Sequence, residues 1–239
     1  MFALGADTED IPCGAGATLI IAIDGPSGAG KSTLAKRLAK ELGFTYMDTG
    51  AMYRALALKV LRQGVDLADD TAMARLVADT DIELRERNGK LEIFLDGEDV
   101  SSLIRTPEVS QMASKASALK IVRQRMLELQ RALAAAGSVV AEGRDIGTVV
   151  FPHADVKIFL DASVQERARR RFEELRAAGR SATLSETLAE MEERDKRDSE
   201  RDLAPLRRAE GAMMIDSSAL QADAVARQVV AEIRKTLPN

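Results

Sequence analysis

Near the start of the chain, Gly25-Pro26-Ser27-Gly28-Ala29-Gly30-Lys31-Ser32 sets two glycines five residues apart and follows the second with a lysine and a hydroxyl. That spacing suits the gripping of a polyphosphate. Successive backbone N–H groups in such a loop converge on an anion, and the helix that follows adds its own N-terminal donors. Glycine lets the backbone come close where a Cβ would clash. Lys31 would reach the β- and γ-phosphates, and the Ser32 hydroxyl, next to Thr33, would hold Mg²⁺. The loop implies a bound nucleoside triphosphate; the acceptor of its γ-phosphoryl group must be read from other residues.

Three further clusters bear on that acceptor. Asp48-Thr49-Gly50-Ala51-Met52-Tyr53-Arg54 follows an apolar run, at the kind of strand end where α/β proteins set ligand-binding loops. An Asp/Thr pair at a helix start is also an ordinary N-cap. Glu142-Gly143-Arg144-Asp145-Ile146-Gly147-Thr148 places charges between glycines at another strand end. Glu142 either stands as a Walker-B-like acid or caps the loop. Val164 to Arg208 is dense in arginines and acids. Most of it reads as a solvated helix pair with i,i+4 ion pairs. For Arg194-Asp195-Lys196-Arg197-Asp198-Ser199-Glu200-Arg201 we expect a mobile lid whose arginines close over phosphates and exclude water.

These residues need elements to carry them. Leu19 to Ile23 reads as a strand entering the glycine loop, and a helix runs from about Ser32 to Leu42, stopping at Gly43. Phe44 to Met47 is a second short strand, with helices around Ala51–Gln63 and Asp69–Asp79. Ile82-Glu83-Leu84 and Leu91 to Leu95 flank Asn88-Gly89, a strong hairpin turn signal. A hairpin interrupting a β/α series marks an inserted lobe. A single long helical pattern, Pro107 to Ala136, leads to a buried strand at Val139–Ala141. Val156–Leu160 and Ala212–Ile215 are two more strands, and a last helix covers roughly Ala222 to Leu237. The expected core is a parallel sheet of about five strands with helices on both faces.

Composition narrows the class. The 239 residues hold plentiful aliphatics, few aromatics and no Trp, so the core should be aliphatic. A net charge of −4 carries no polybasic signature for nucleic acid. Cys13 is the only cysteine, which rules out an intramolecular disulfide and suits a reducing cytosol. No apolar run approaches membrane-spanning length, and the acidic start lacks a signal peptide's basic region. Residues 1–17 read as a flexible tail. The expectation is a soluble, cytoplasmic, monomeric protein. His153 reads as a loop residue, no zinc spacing exists, and the methionines read as aliphatic filler. A regulatory GTPase switch would need an Asn-Lys-x-Asp tetrapeptide, and the sequence has none.

The runs Ile23 to Ser32, Asp48-Thr49-Gly50 with Tyr53-Arg54, Gly143-Arg144-Asp145-Ile146-Gly147-Thr148-Val149-Val150-Phe151-Pro152, and Arg194 to Leu206 together resemble the bacterial cytidylate kinases. The likeness covers essentially everything from about Thr18 onward; the tail is what short family members lack. It implies a nucleoside monophosphate (NMP) kinase with three parts: a P-loop core over about 18–50, 137–163 and 209–239, an NMP-binding lobe over about 51–136 containing a small antiparallel sheet, and a helical lid over about 178–205. It implies ATP at Gly25, Pro26, Ser27, Gly28, Ala29, Gly30, Lys31, Ser32 and Thr33, with Mg²⁺. Lys31, Arg144 and Arg194 would stabilise the transferring charge. CMP or dCMP would lie among Asp48, Thr49, Tyr53, Arg54, Ser114, Arg123, Arg144, Asp145, Arg194, Asp198 and Arg201. Of these, Arg54, Arg144 and Thr49 would hold the acceptor phosphate, and Asp198 the sugar. Ser114, Arg123, Asp145 and Arg201 would read the base. From the residues alone, Ser114 and Arg123 read as two exposed polar positions on a helix. A kinase accepting UMP and CMP alike is the nearest alternative.

Overall fold

The run Leu19 to Ile23 is apolar throughout, as a strand covered on both faces must be. It forms β1 (Ile20–Asp24), and the chain continues through α1 (Lys31–Leu42), β2 (Thr45–Asp48), α2 (Thr49–Gln63) and α3 (Asp70–Ala78). Three strands follow, β3 (Ile82–Arg87), β4 (Lys90–Leu95) and β5 (Glu98–Asp99), then α4 (Pro107–Ala116) and α5 (Lys120–Ala134). The last elements are β6 (Val139–Gly143), β7 (Val156–Asp161), α6 (Val164–Ala177), α7 (Leu184–Glu200) and β8 (Met213–Asp216). This is a computed structural model, and it describes residues 18–87, 90–218, 225–227, 229–231 and 233. The expected tail, the Asn88-Gly89 turn and most of the last expected helix lie outside the described residues. Those described between 225 and 233 are helical.

Five strands make a parallel sheet in the order β2-β6-β1-β7-β8, as expected for the core. Alternation along β1 decides what each face meets. Ile21 and Ile23 pack with Leu34, Ala35 and Leu38 of α1 and with Val225, Ala226, Val229 and Ile233. Ala22, between them, faces Met47, Ala134, Val139, Ala141 and Phe151 on the other side. Helices therefore cover both faces. The antiparallel sheet β3-β4-β5 pairs Ile82 with Leu95 and Leu84 with Ile93. Its inner residues join Met52, Leu56, Met73, Leu76, Val109, Val122 and Met126 in a second aliphatic core.

One expectation fails. The helix read over Pro107–Ala136 is two helices, broken at Ser117-Ala118-Leu119, where Leu119 is extended (ψ 129°). No glycine or proline marks the break. It is held instead by side-chain bonds: the Ser117 hydroxyl donates to the Ser114 carbonyl at 2.8 Å, and Arg123 donates to the Ser117 carbonyl at 3.3 Å.

The step from β1 into the phosphate loop depends on Gly25. Its φ of +149° is open to glycine, and a Cβ there would sit 1.9 Å from the Leu160 carbonyl oxygen of β7. Backbone in a central strand cannot retreat from that clash. Gly25→Ala should cost on the order of 3 kcal/mol, or roughly 6–12 °C in Tm, measured by thermal unfolding.

Candidate active site

In a parallel sheet the loops after each strand open on the same edge. Here the loops after β1, β2 and β6 meet α4, α5, α6 and α7 around one cleft of about 1120 Å³. That is room for more than one small ligand. Ser27 to Thr33 line one end, and Asp48, Thr49, Tyr53, Arg54, Ser114, Arg123, Arg144, Asp145, Arg194, Asp198 and Arg201 line the rest. Residues more than a hundred positions apart are thus brought together. Gly25 and Pro26 do not line the cleft. Gly25 is the packed hinge described above, and the Pro26 carbonyl accepts from the Lys31 ammonium at 2.6 Å.

At the other end the side chains alternate in charge. Arg144 donates through Nε to Asp198 at 2.9 Å, and Arg194 lies 3.9 Å from the same carboxylate. Asp145 pairs closely with Arg123 and stands 3.7 Å from Arg201. Asp48 serves both readings made from the sequence: Oδ1 caps α2 by accepting from Ala51 N at 2.8 Å, while Oδ2 takes Arg54 at 3.1 Å. Ser114 and Arg123 are not exposed helix positions. Ser114 is buried and donates to Asp198 at 3.3 Å. Tyr53 is pushed up to about 12 by burial, with Arg123 opposing, so its hydroxyl stays protonated.

The charges shift one another. Burial pushes Asp198 up, but Arg144 and Arg194 beside it hold it net below the usual carboxylate range. Burial and the neighbouring Arg144 lower Arg194 to about 10, which leaves it charged at neutral pH. Glu142 is raised by burial and by Asp48, and it accepts from the Tyr46 and Ser32 hydroxyls. The Ser32 hydroxyl with Glu142 and Asp48 close by is a hard-oxygen set that fits Mg²⁺ arriving with a triphosphate. Among the described residues no cluster of three or more His, Cys, Asp or Glu could hold a metal by itself.

Three contributors, Asp24, Ser117 and Arg167, were not singled out from the sequence, and Arg197 was read only as one of the lid arginines. Asp24 ends β1, buried, and accepts from the backbone N–H of Ile146 and Gly147, both at 2.7 Å. It thereby fixes the β6 loop that carries Arg144 and Asp145. Ser117 accepts from Arg201 at 3.3 Å, and Arg197 donates to Ser114 at 3.1 Å. Arg167 is treated below. A buried acid at the end of an apolar strand is the one signal that could have flagged Asp24.

The cytidylate kinase family profile matches residues 21–235. The chain belongs to the cytidylate kinase family. As a member it is a phosphotransferase. A cytidylate kinase of Pelotomaculum thermopropionicum is 53% identical over 214 residues, covering 89% of this chain and 95% of that protein. One from Geobacter sulfurreducens is 51% identical, covering 91% and 93%. A crystal structure of an uncharacterized protein from Eubacterium ventriosum matches at TM-score 0.50 and 14% identity over 90% of this chain and 98% of that one, a likeness of fold. Among the described residues no helix is long and apolar enough to cross a membrane.

Lys31 yields a prediction. Burial, with Arg144 next, lowers its ammonium to about 7 against the partial support of Glu142. A polyanion beside it favours the charged form and raises it again. At pH 8 binding of MgATP should therefore take up a proton, up to about 0.9 per site, and the uptake should shrink towards pH 6. Calorimetry at pH 8 in buffers of different ionisation enthalpy reads this directly; a slope of zero contradicts it.

Proposed function

We propose that the chain transfers the γ-phosphoryl group of ATP to CMP or dCMP, giving ADP and CDP or dCDP. Membership in the cytidylate kinase family supports the activity. What carries the mechanism is a single observation: the glycine loop with Lys31 and an arginine–carboxylate array from several segments face one cleft. A bond forms between an acceptor phosphate oxygen and the γ-phosphorus while the β–γ bridging oxygen leaves on ADP. The attacking oxygen is already anionic, so no general base is needed, and catalysis is positioning and charge neutralisation.

In this reading the Gly25–Thr33 loop cradles the donor phosphates, with Lys31 at their β- and γ-groups. Arg54 and Arg144, with Thr49, take the acceptor phosphate, and Arg194 closes onto the transferring group. Guanidinium forks suit bidentate phosphate contacts better than an ammonium does. Ser32, with Glu142 and Asp48 close by, would help hold Mg²⁺, which would supply neutralisation of phosphate charge when bound. Residues 51–136 act as the acceptor lobe and about 178–205 as the lid, in a cytoplasmic monomer.

Base choice follows from the Asp145 group. A carboxylate flanked by Arg123 and Arg201 presents an acceptor beside donors. Cytosine offers an amino donor at position 4 and acceptors at N3 and O2, which matches. Uracil would set an acceptor against the carboxylate and a donor against a guanidinium. Sites built on buried hydrogen bonds discriminate strongly when those groups are left unpaired.

ADP release in a coupled assay should be at least about tenfold more efficient with CMP or dCMP than with AMP, GMP or TMP. Preference for any of those three rejects the assignment. Asp145→Ala should lower the CMP-over-UMP ratio of kcat/KM by about tenfold or more while ATP affinity survives. An unchanged ratio would show that the base is read elsewhere.

A further inference from the structure

Arg167, in the first turns of α6, lies outside every motif used above, yet it is 5% exposed. Its guanidinium is divided among three segments. Nε donates to the Ala162 carbonyl just past β7 at 2.8 Å, and Nη1 donates to the Ser27 carbonyl in the phosphate loop at 3.2 Å. Nη2 pairs with Asp195 of α7 at 2.6 Å. The other oxygen of Asp195 is buried and has no hydrogen-bond partner among the described residues. That carboxylate is therefore seated by Arg167.

Packing reinforces the link. Gly28, in the middle of the loop, has φ +78°, and a Cβ there would meet the Arg167 Cβ and the Met191 Cε of α7, each at 3.2 Å. Loop, α6 and α7 therefore approach one another closely at Gly28. Asp195 also sits one residue after Arg194 and three before Asp198, on the helix that brings both into the cleft. A shift of Asp195 must move them too.

We propose that Arg167 is a positioning residue that couples the seat of α7 to the shape of the phosphate loop, so that the lid helix sets affinity for the donor nucleotide. A buried guanidinium holds a fixed fork, and its hydrogen bond to a loop carbonyl keeps the neighbouring N–H groups turned towards the anion. Loosening Asp195 frees one arm of that fork and with it the orientation imposed at Ser27. The inference rests on the reading that the Gly25–Ser32 loop takes ATP.

The test compares the parent protein with Asp195→Asn, Arg167→Lys and the double variant, by steady-state kinetics with CMP and by calorimetric binding of a non-hydrolysable ATP analogue. If the parent shows no ATP-dependent turnover of CMP, the functional reading fails before this one is reached. Given turnover, Asp195→Asn and Arg167→Lys should each raise KM for ATP and the analogue's Kd at least threefold, with KM for CMP changed less than KM for ATP. The double variant should be no worse than the weaker-binding single. A merely structural role would reduce the active fraction and Tm, which lowers apparent kcat and leaves KM for ATP in place. Asp195→Asn keeps the side chain's shape and carries the test should Arg167→Lys fail to fold. KM for ATP less than threefold above the parent in Asp195→Asn, or single effects that multiply in the double variant, overturn the proposal.

Discussion

Cations dense enough to receive two polyanionic nucleotides repel one another, and a folded chain must hold them in place before any ligand compensates. Here carboxylates are interleaved with them: Asp198 between Arg144 and Arg194, Asp145 between Arg123 and Arg201, Asp48 against Arg54, and Asp195 against Arg167. Removing one partner from a buried pair typically costs about 3–5 kcal/mol, because the remaining charge is stranded. Each acid is therefore part of the structure whatever ligand the cleft takes. The same interleaving makes the shifts unequal. Asp198, with two arginines, falls below the usual carboxylate range despite burial, whereas Glu142, raised by burial and further by Asp48 beside it, goes the other way.

The backbone must be as fixed as the charges. Asp24 shows how this is done. Burial raises its carboxyl to about 6 even though two backbone N–H groups hold its charged form. Those bonds close the turn after β6 onto the end of β1, so Arg144 and Asp145 leave the sheet at a set angle towards the cleft. The phosphate loop leaves the same strand end one residue later. The phosphate loop and the loop carrying Arg144 and Asp145 are therefore referenced to a single point in the central strand, which the proposed in-line transfer needs.

How much of this was legible in the sequence follows from how local each signal is. The glycine loop, the apolar strands and the hairpin flanks are short-range patterns, and the five-stranded parallel sheet and the antiparallel insert followed from them. The clusters holding Arg54, Arg144, Asp145, Arg194 and Asp198 stood out by their place at strand ends or in the expected lid, but the role given to each residue came only from the resemblance; spacing alone left most of the stretch from Val164 to Arg208 a solvated helix pair. Arg167 was lost within the same stretch. Nothing in a run of alternating arginines and glutamates distinguishes the one guanidinium that turns inward from Arg169, which pairs in solvent with Glu166 and Glu173.

The broken helix between Pro107 and Ala136 shows why such an error matters to chemistry. An uninterrupted helix would carry Ser114 and Arg123 nine residues apart, two and a half turns, on opposite faces. Only one of them could then face the cleft. The break at Ser117-Ala118-Leu119 turns the second helix so that both do: Ser114 meets Asp198 and Arg197, and Arg123 meets Asp145. Ser117 stabilises the bend from both sides, donating back to Ser114 and accepting from Arg201. The bend is thus held by residues proposed to read the base, and Arg201, just beyond α7, joins it to the end of that helix. A sequence pattern sees three helix-compatible residues at that point. Much of the reason to bend lies in distant partners: Asp145, and Arg197, Asp198 and Arg201 more than eighty positions away.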